Sequence, residues 1–106
     1  MTIAAQAAVP TAHGGKYLQQ LCKHWSHDLA VEFSADRGVV VFPKDARGAD
    51  YPGDAAVTFT AGPESLMVRI EASIAGQLIR LQSVVADHLD RFAFREAPLA
   101  FDWTAG

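Results

Sequence analysis

The chain has 106 residues, a formal net charge of −3, and a composition that is 50% hydrophobic and 20% charged. That length reads as one domain, residues 1–106, with the make-up of a globular protein burying roughly two-thirds of its unfolded surface. The acidic balance, with no run of Lys and Arg, argues against nucleic acid; the single cysteine excludes an intrachain disulfide, and no apolar run has membrane-spanning length.

Ile3, Ala5, Ala7 and Val9 alternate with smaller or more polar residues, which predicts a first strand closed by Pro10. The stretch from Met1 to Pro10 lacks the basic start and longer apolar run of a secretory signal, so a cytoplasmic location is expected. Thr11 is placed to cap a helix running to about His27. In that helix Tyr17, Leu18, Leu21, Cys22 and Trp25 recur at i, i+3, i+4, i+7 spacing and span an apolar arc of about 140°. Trp25 lies near the middle of the arc and reads as a core anchor. Cys22 lies on the same side, where a thiol acts as a small hydrophobe.

Leu29, Val31 and Phe33 alternate with Ala30, Glu32 and Ser34. After the turn Ala35-Asp36-Arg37-Gly38 the chain returns through Val39-Val40-Val41-Phe42, a hairpin closed by Pro43. Residues Lys44 to Asp54 carry glycine, proline and three aspartates without an apolar period, a surface loop anchored by Tyr51. A second hairpin follows, with Val57, Phe59 and Ala61, then Leu66, Val68, Ile70 and Ala72, facing inward. Ser73 is placed to cap a second helix whose stripe is Leu78, Leu81, Val85, Leu89 and Phe92. Leu99, Phe101 and Trp103 predict a final strand. The order is β-α-β-β-β-β-α-β: an α+β two-layer sandwich, two antiparallel helices on one face of a mainly antiparallel sheet.

His24 and His27 form a His-x-x-His pair about 60° apart around the first helix, candidate ligands for a metal. Zinc and iron sites need a third and usually a fourth donor. Lys23, His24 and His27 also meet a structural need, because cationic side chains in a last turn offset the partial negative charge of a helix C-terminus. His88 lies beside the second stripe, with Arg91 and Arg95 following it. Aligning the end of the first helix with the start of the second puts His24 opposite Leu78. His88 is then separated from it by about eight residues, roughly 12 Å, beyond the reach of one ion. No serine lies in a nucleophile elbow, and no phosphate loop, dinucleotide fingerprint or Cys-x-x-Cys pair occurs, so an enzyme reading has no motif behind it and no cofactor is indicated.

Leu21-Cys22-Lys23-His24-Trp25-Ser26-His27 with Val31-Glu32-Phe33, and the block Leu81 to Glu96, resemble the signature blocks of a bacterial family, domain of unknown function 2218. The resemblance spans nearly the whole chain. It implies no assigned reaction. It does imply an iron-related setting, because similar domains are found near or joined to siderophore-interacting proteins. Two functions follow. One is a non-catalytic accessory of iron or siderophore handling, in which His24, His27, His88, Arg91 and Arg95 contact a metal or anionic ligand. The other is an interaction or dimerisation module using the open sheet face. There Thr58, Thr60, Met67 and Arg69 offer little apolar surface, so a monomer or weak homodimer is expected.

Overall fold

In a computed structural model, residues 2–106 are described. The elements are β1 (Ile3–Pro10), α1 (Gly14–Trp25), β2 (Ala30–Phe33), β3 (Arg37–Phe42), β4 (Ala55–Ala61), β5 (Ser65–Ala72), α2 (Ala75–Phe92) and β6 (Thr104–Ala105), with a 3-10 turn at Ala46–Gly48. The strands form one six-stranded sheet in the order β2-β3-β4-β5-β1-β6, every neighbour antiparallel. The two-layer α+β architecture and element order follow the sequence pattern.

The order explains the two helices. β1 sits inside the sheet between β5 and β6, so α1 must carry the chain across β5, β4 and β3 to reach β2 at the far edge. α2 returns it from β5 to β6 and lies over β5 and β1. Both apolar stripes are thereby pressed on one sheet face. Tyr17, Leu18, Leu21, Cys22 and Trp25 of α1, and Leu81, Val85 and Leu89 of α2, are buried against Val40, Val57, Phe59, Leu66, Val68 and Ile70. α1 lies close on β3 at Gly38, where a Cβ would sit 2.6 Å from the Cys22 Sγ. Burial also pushes the Cys22 thiol pKa up to about 11, as suits a packing group rather than a reactive one.

The ends of the elements depart from expectation, and local hydrogen bonding explains why. Thr11 does not cap α1. The N-cap is His13, and the Thr11 hydroxyl accepts the His13 N–H at 3.1 Å while donating to Glu96. α1 ends at Trp25, not His27: the Ser26 hydroxyl donates to the Lys23 carbonyl at 2.7 Å, the acceptor a helical His27 N–H would use. A turn in which Asp28 and Leu29 N–H both return to the Trp25 carbonyl then leads into β2 at Ala30. Ser73 does not cap α2 through its own oxygen. Instead its N–H and hydroxyl both donate to Gln77 Oε1, at 2.7 and 2.5 Å. The final strand is two residues, Thr104 and Ala105, paired with Gln6 and Ala5. Leu99, Phe101 and Trp103 run beside it without ladder pairing, and they pack on the core.

Candidate functional site

Trp25 ends α1 with 2% of its surface exposed. Its indole meets Phe42 edge-on at 5.1 Å, stacks on Phe59 at 6.4 Å, and lies 5.2 Å from the His88 ring, all between centroids. It is the core anchor that the helical spacing predicts. It also forms one wall of a pocket of about 280 Å³, so it is not confined to the core.

The pocket exists because the helices differ in length. α1 has 12 residues and α2 has 18. They run antiparallel: Tyr17 near the start of α1 meets Glu96 beyond the end of α2, and His24 at the end of α1 meets His88. The first turns of α2 therefore overhang the end of α1. The space beneath them is closed from the side by the 43–54 segment, with Phe42, Pro43, Ala46, Ala49 and Tyr51 opposite Leu81 and Val84. The lining is largely apolar, with Asp28, Arg80 and His88 also on it. Arg80 is exposed and has no ion-pair partner among the described residues.

Gln77 holds this wall in place. It is 2% exposed, takes two hydrogen bonds from Ser73, and donates from Nε2 to the Gly53 carbonyl at 3.0 Å. The segment is closed on itself as well. Lys44 N–H donates to Asp54 Oδ1 at 2.9 Å, and Tyr51 N–H to the Lys44 carbonyl at 3.0 Å. What reads from sequence as a bare surface loop is thus a built wall, with Tyr51 lining the pocket as its expected anchor.

The histidines are arranged differently from expectation. The His24 and His88 rings lie 5.4 Å apart between centroids, so the predicted separation along the helices is overturned. That prediction aligned the end of α1 with the start of α2, whereas the overhang moves the register on by about three turns of α2. The ring of Phe92 closes the other side of His24, at 5.9 Å. His27 is exposed, two residues beyond the end of α1; the imidazole that faces His24 is that of His88. Arg91 and Arg95 are exposed, Arg95 lying 5.8 Å over the Phe94 ring. Neither Arg91 nor Arg95 lines the pocket. No three His, Cys, Asp or Glu side chains converge to hold a metal among the described residues.

A second polar cluster lies at the other end of α1. The hydroxyls of Tyr17 and Thr11 both donate to the Glu96 carboxylate, the latter at 3.0 and 3.1 Å. The Tyr17 hydrogen bond, which outweighs the opposing effect of burial, holds the Glu96 carboxyl below its usual range, helped by Thr11 and by His13. The same bond raises the Tyr17 pKa, with burial and the Glu96 charge adding to it against Arg95. None of Thr11, Tyr17 and Glu96 lines the pocket beneath α2; the cluster pins the segment after α2 onto the start of α1. Glu96 lies 79 positions from Tyr17 and 85 from Thr11 in sequence, so no local pattern announces the cluster.

A two-layer α+β domain with a single open sheet face, and an aromatic pocket under its longer helix, is the class that fold and site define. The profile of the family described as "uncharacterized protein conserved in bacteria (DUF2218)" matches residues 6–104, and the chain belongs to that family. Among solved structures, the chain is similar to the NMR structure of PA4090 from Pseudomonas aeruginosa. The two share 28% identity over 96% of this chain and 95% of that one, with a TM-score of 0.73. No curated protein matches. No helix among the described residues is long and apolar enough to cross a membrane.

Proposed function

We propose that this domain is a non-catalytic binding module that takes a small, flat, acidic ligand in the pocket beneath α2, serving iron or siderophore handling as an accessory. The observation that carries the reading is the pocket itself: Trp25 and Phe42 supply aromatic walls, while Arg80, Asp28 and His88 offer charge and hydrogen bonds on its lining. Flat rings suit aromatic walls, and a guanidinium binds a carboxylate bidentately. Asp28 then accepts from a ligand hydroxyl.

Size narrows the ligand. At about 280 Å³ the pocket is at the lower end of small-molecule sites, which run from about 300 Å³. A one-ring acid fits, and a complete ferric chelate with several chelating arms does not. In an iron-related setting, the ligand class is therefore the hydroxybenzoate unit from which aromatic chelators are built, not the loaded chelate. Catalysis has no support in the site: the His88 ring is oriented by the Val84 carbonyl, at 2.7 Å from Nδ1, rather than by a carboxylate.

Calorimetry with salicylate and its neutral amide tests this. About ten heavy atoms at modest ligand efficiency give a Kd between about 50 µM and 5 mM for the acid. Arg80→Ala should weaken the acid roughly tenfold and leave the amide unchanged. Equal binding of acid and amide to the parent chain, or no binding of either at millimolar concentration, refutes the reading.

A further inference from the structure

We infer that His24 and His88, one from each helix, form a two-imidazole site for a late first-row divalent metal ion, with copper(II) the strongest candidate. The inference does not rest on the pocket's having an organic ligand. It rests on ring spacing, on the tautomer that a backbone carbonyl fixes in one ring, and on the exposure of the other.

Spacing comes first. A metal–imidazole nitrogen bond is about 2.0–2.1 Å and the ring centroid lies about 1.1 Å behind the nitrogen, so two imidazoles on one ion have centroids about 5.2 Å apart at a tetrahedral angle and about 4.5 Å apart at the 90° angle copper(II) prefers, a difference that a turn of the exposed His24 ring closes. The observed separation is 5.4 Å, with the ring planes inclined at 45°. The His88 ring is also set up chemically. Its Nδ1 lies 2.7 Å from the Val84 carbonyl oxygen. A carbonyl only accepts, so Nδ1 carries the proton and, in the neutral ring, Nε2 keeps the lone pair. A backbone carbonyl on the far nitrogen is the usual outer support of a metal-binding histidine, fixing both tautomer and ring orientation. The Trp25 indole at 5.2 Å packs the ring further.

His24 supplies the mobile half. It is exposed, so its ring can turn a nitrogen toward the shared ion without disturbing the core. With no third protein donor among the described residues, water completes the coordination sphere. Such an open, nitrogen-rich site favours copper(II) over nickel(II) and zinc(II) by the ordinary stability order. His27 has no part in it, because it lies beyond the end of α1 while His88 faces His24.

The test uses Trp25 as the reporter, since a paramagnetic ion held by His88 lies close enough to quench it. In a Trp103→Phe background, which leaves Trp25 as the sole tryptophan, the full chain is titrated with copper(II) and the stoichiometry checked by calorimetry. The expected result is saturable quenching at one ion per chain. His24→Ala and His88→Ala should each weaken binding roughly 100-fold by removing one of two linked donors, and His27→Ala should change nothing. His24 is exposed, so its variant stays folded even if the His88 variant does not, and His88→Gln provides a gentler second probe. Loss of binding in His24→Ala and His27→Ala but not at His88 would assign the metal to the His-x-x-His pair and overturn the inference. So would the absence of saturable binding, or binding indifferent to all three changes.

Discussion

Replacing Trp25 by alanine probes the packing that joins core and pocket. The indole is 2% exposed, and an aromatic of this kind buries up to about 250 Å². At about 25 cal/mol per Å², and allowing for the alanine that remains, the lost transfer energy is about 4 kcal/mol. A sealed void would add to that loss. Here the void opens into the pocket beneath α2, where water can enter, so the added cost is small. The expected loss is about 3–4 kcal/mol, within the range known for Trp-to-Ala changes. Urea unfolding followed by far-ultraviolet circular dichroism reads it; with a slope of about 1.5 kcal/mol/M the midpoint falls by about 2 M. Phe94→Ala is the control, since that ring is 71% exposed and its loss should cost less than about 0.5 kcal/mol. A Trp25→Ala loss below about 1 kcal/mol would show that α1 does not pack on Phe42 and Phe59 through this face.

Gln77→Ala should cost about 1–3 kcal/mol by leaving Ser73 N–H and the Gly53 carbonyl unpaired, and amide hydrogen exchange should quicken across residues 44–54; unchanged exchange there would mean that Gln77 does not hold the wall. The Glu96 carboxyl is depressed in the folded state, so its contribution is present above its ordinary value of 4.5 and lost as pH falls through the folded value. The stability gap between the parent chain and Tyr17→Phe should accordingly narrow on acidification from about pH 7 to about pH 3, and a gap that stays constant contradicts the account. At the alkaline end the raised Tyr17 pKa gives the opposite sign, with stability present below 10.0 and lost as pH rises through the folded value. We expect a monomer or a weak homodimer, because the outer sheet face presents Thr58, Thr60, Arg69 and Glu71 around Met67; light scattering that finds a dimer persisting at nanomolar concentration would contradict this.

The sheet and both helices were legible because each obeys a simple period. Alternation placed Val57, Phe59, Leu66, Val68 and Ile70 on the inner face, and the helical repeat placed Trp25 in the core. The element ends were less legible, because they depend on which polar side chain wins a given N–H. Thr11 and Ser73 each had the chemistry of a cap, yet Glu96 and Gln77 engaged their hydroxyls instead. Ser73 and Gln77 are four residues apart, a spacing that could have shown the second pair; nothing local could have shown the first. The relation between the helices departs furthest from the sequence pattern. Periodicity tells which face a helix buries but not how far it slides along its neighbour. That sliding was fixed by the overhang of α2, which made the pocket and brought His24 to His88. Arg80 carries no sequence signal for the same reason: it lies off the apolar stripe, and only the overhang makes it part of a site.

The most direct measurement of the central claim is a residue-by-residue map of where an aromatic acid binds. A nitrogen–proton correlation titration of the labelled chain with salicylate should shift Trp25, Leu29, Ala49, Tyr51, Arg80, Val84 and His88 together along one binding curve. The outer-face residues Thr58, Met67 and Arg69 should stay unmoved. Shifts concentrated on that outer face, or scattered without saturation, would mean that the pocket beneath α2 is not the binding site.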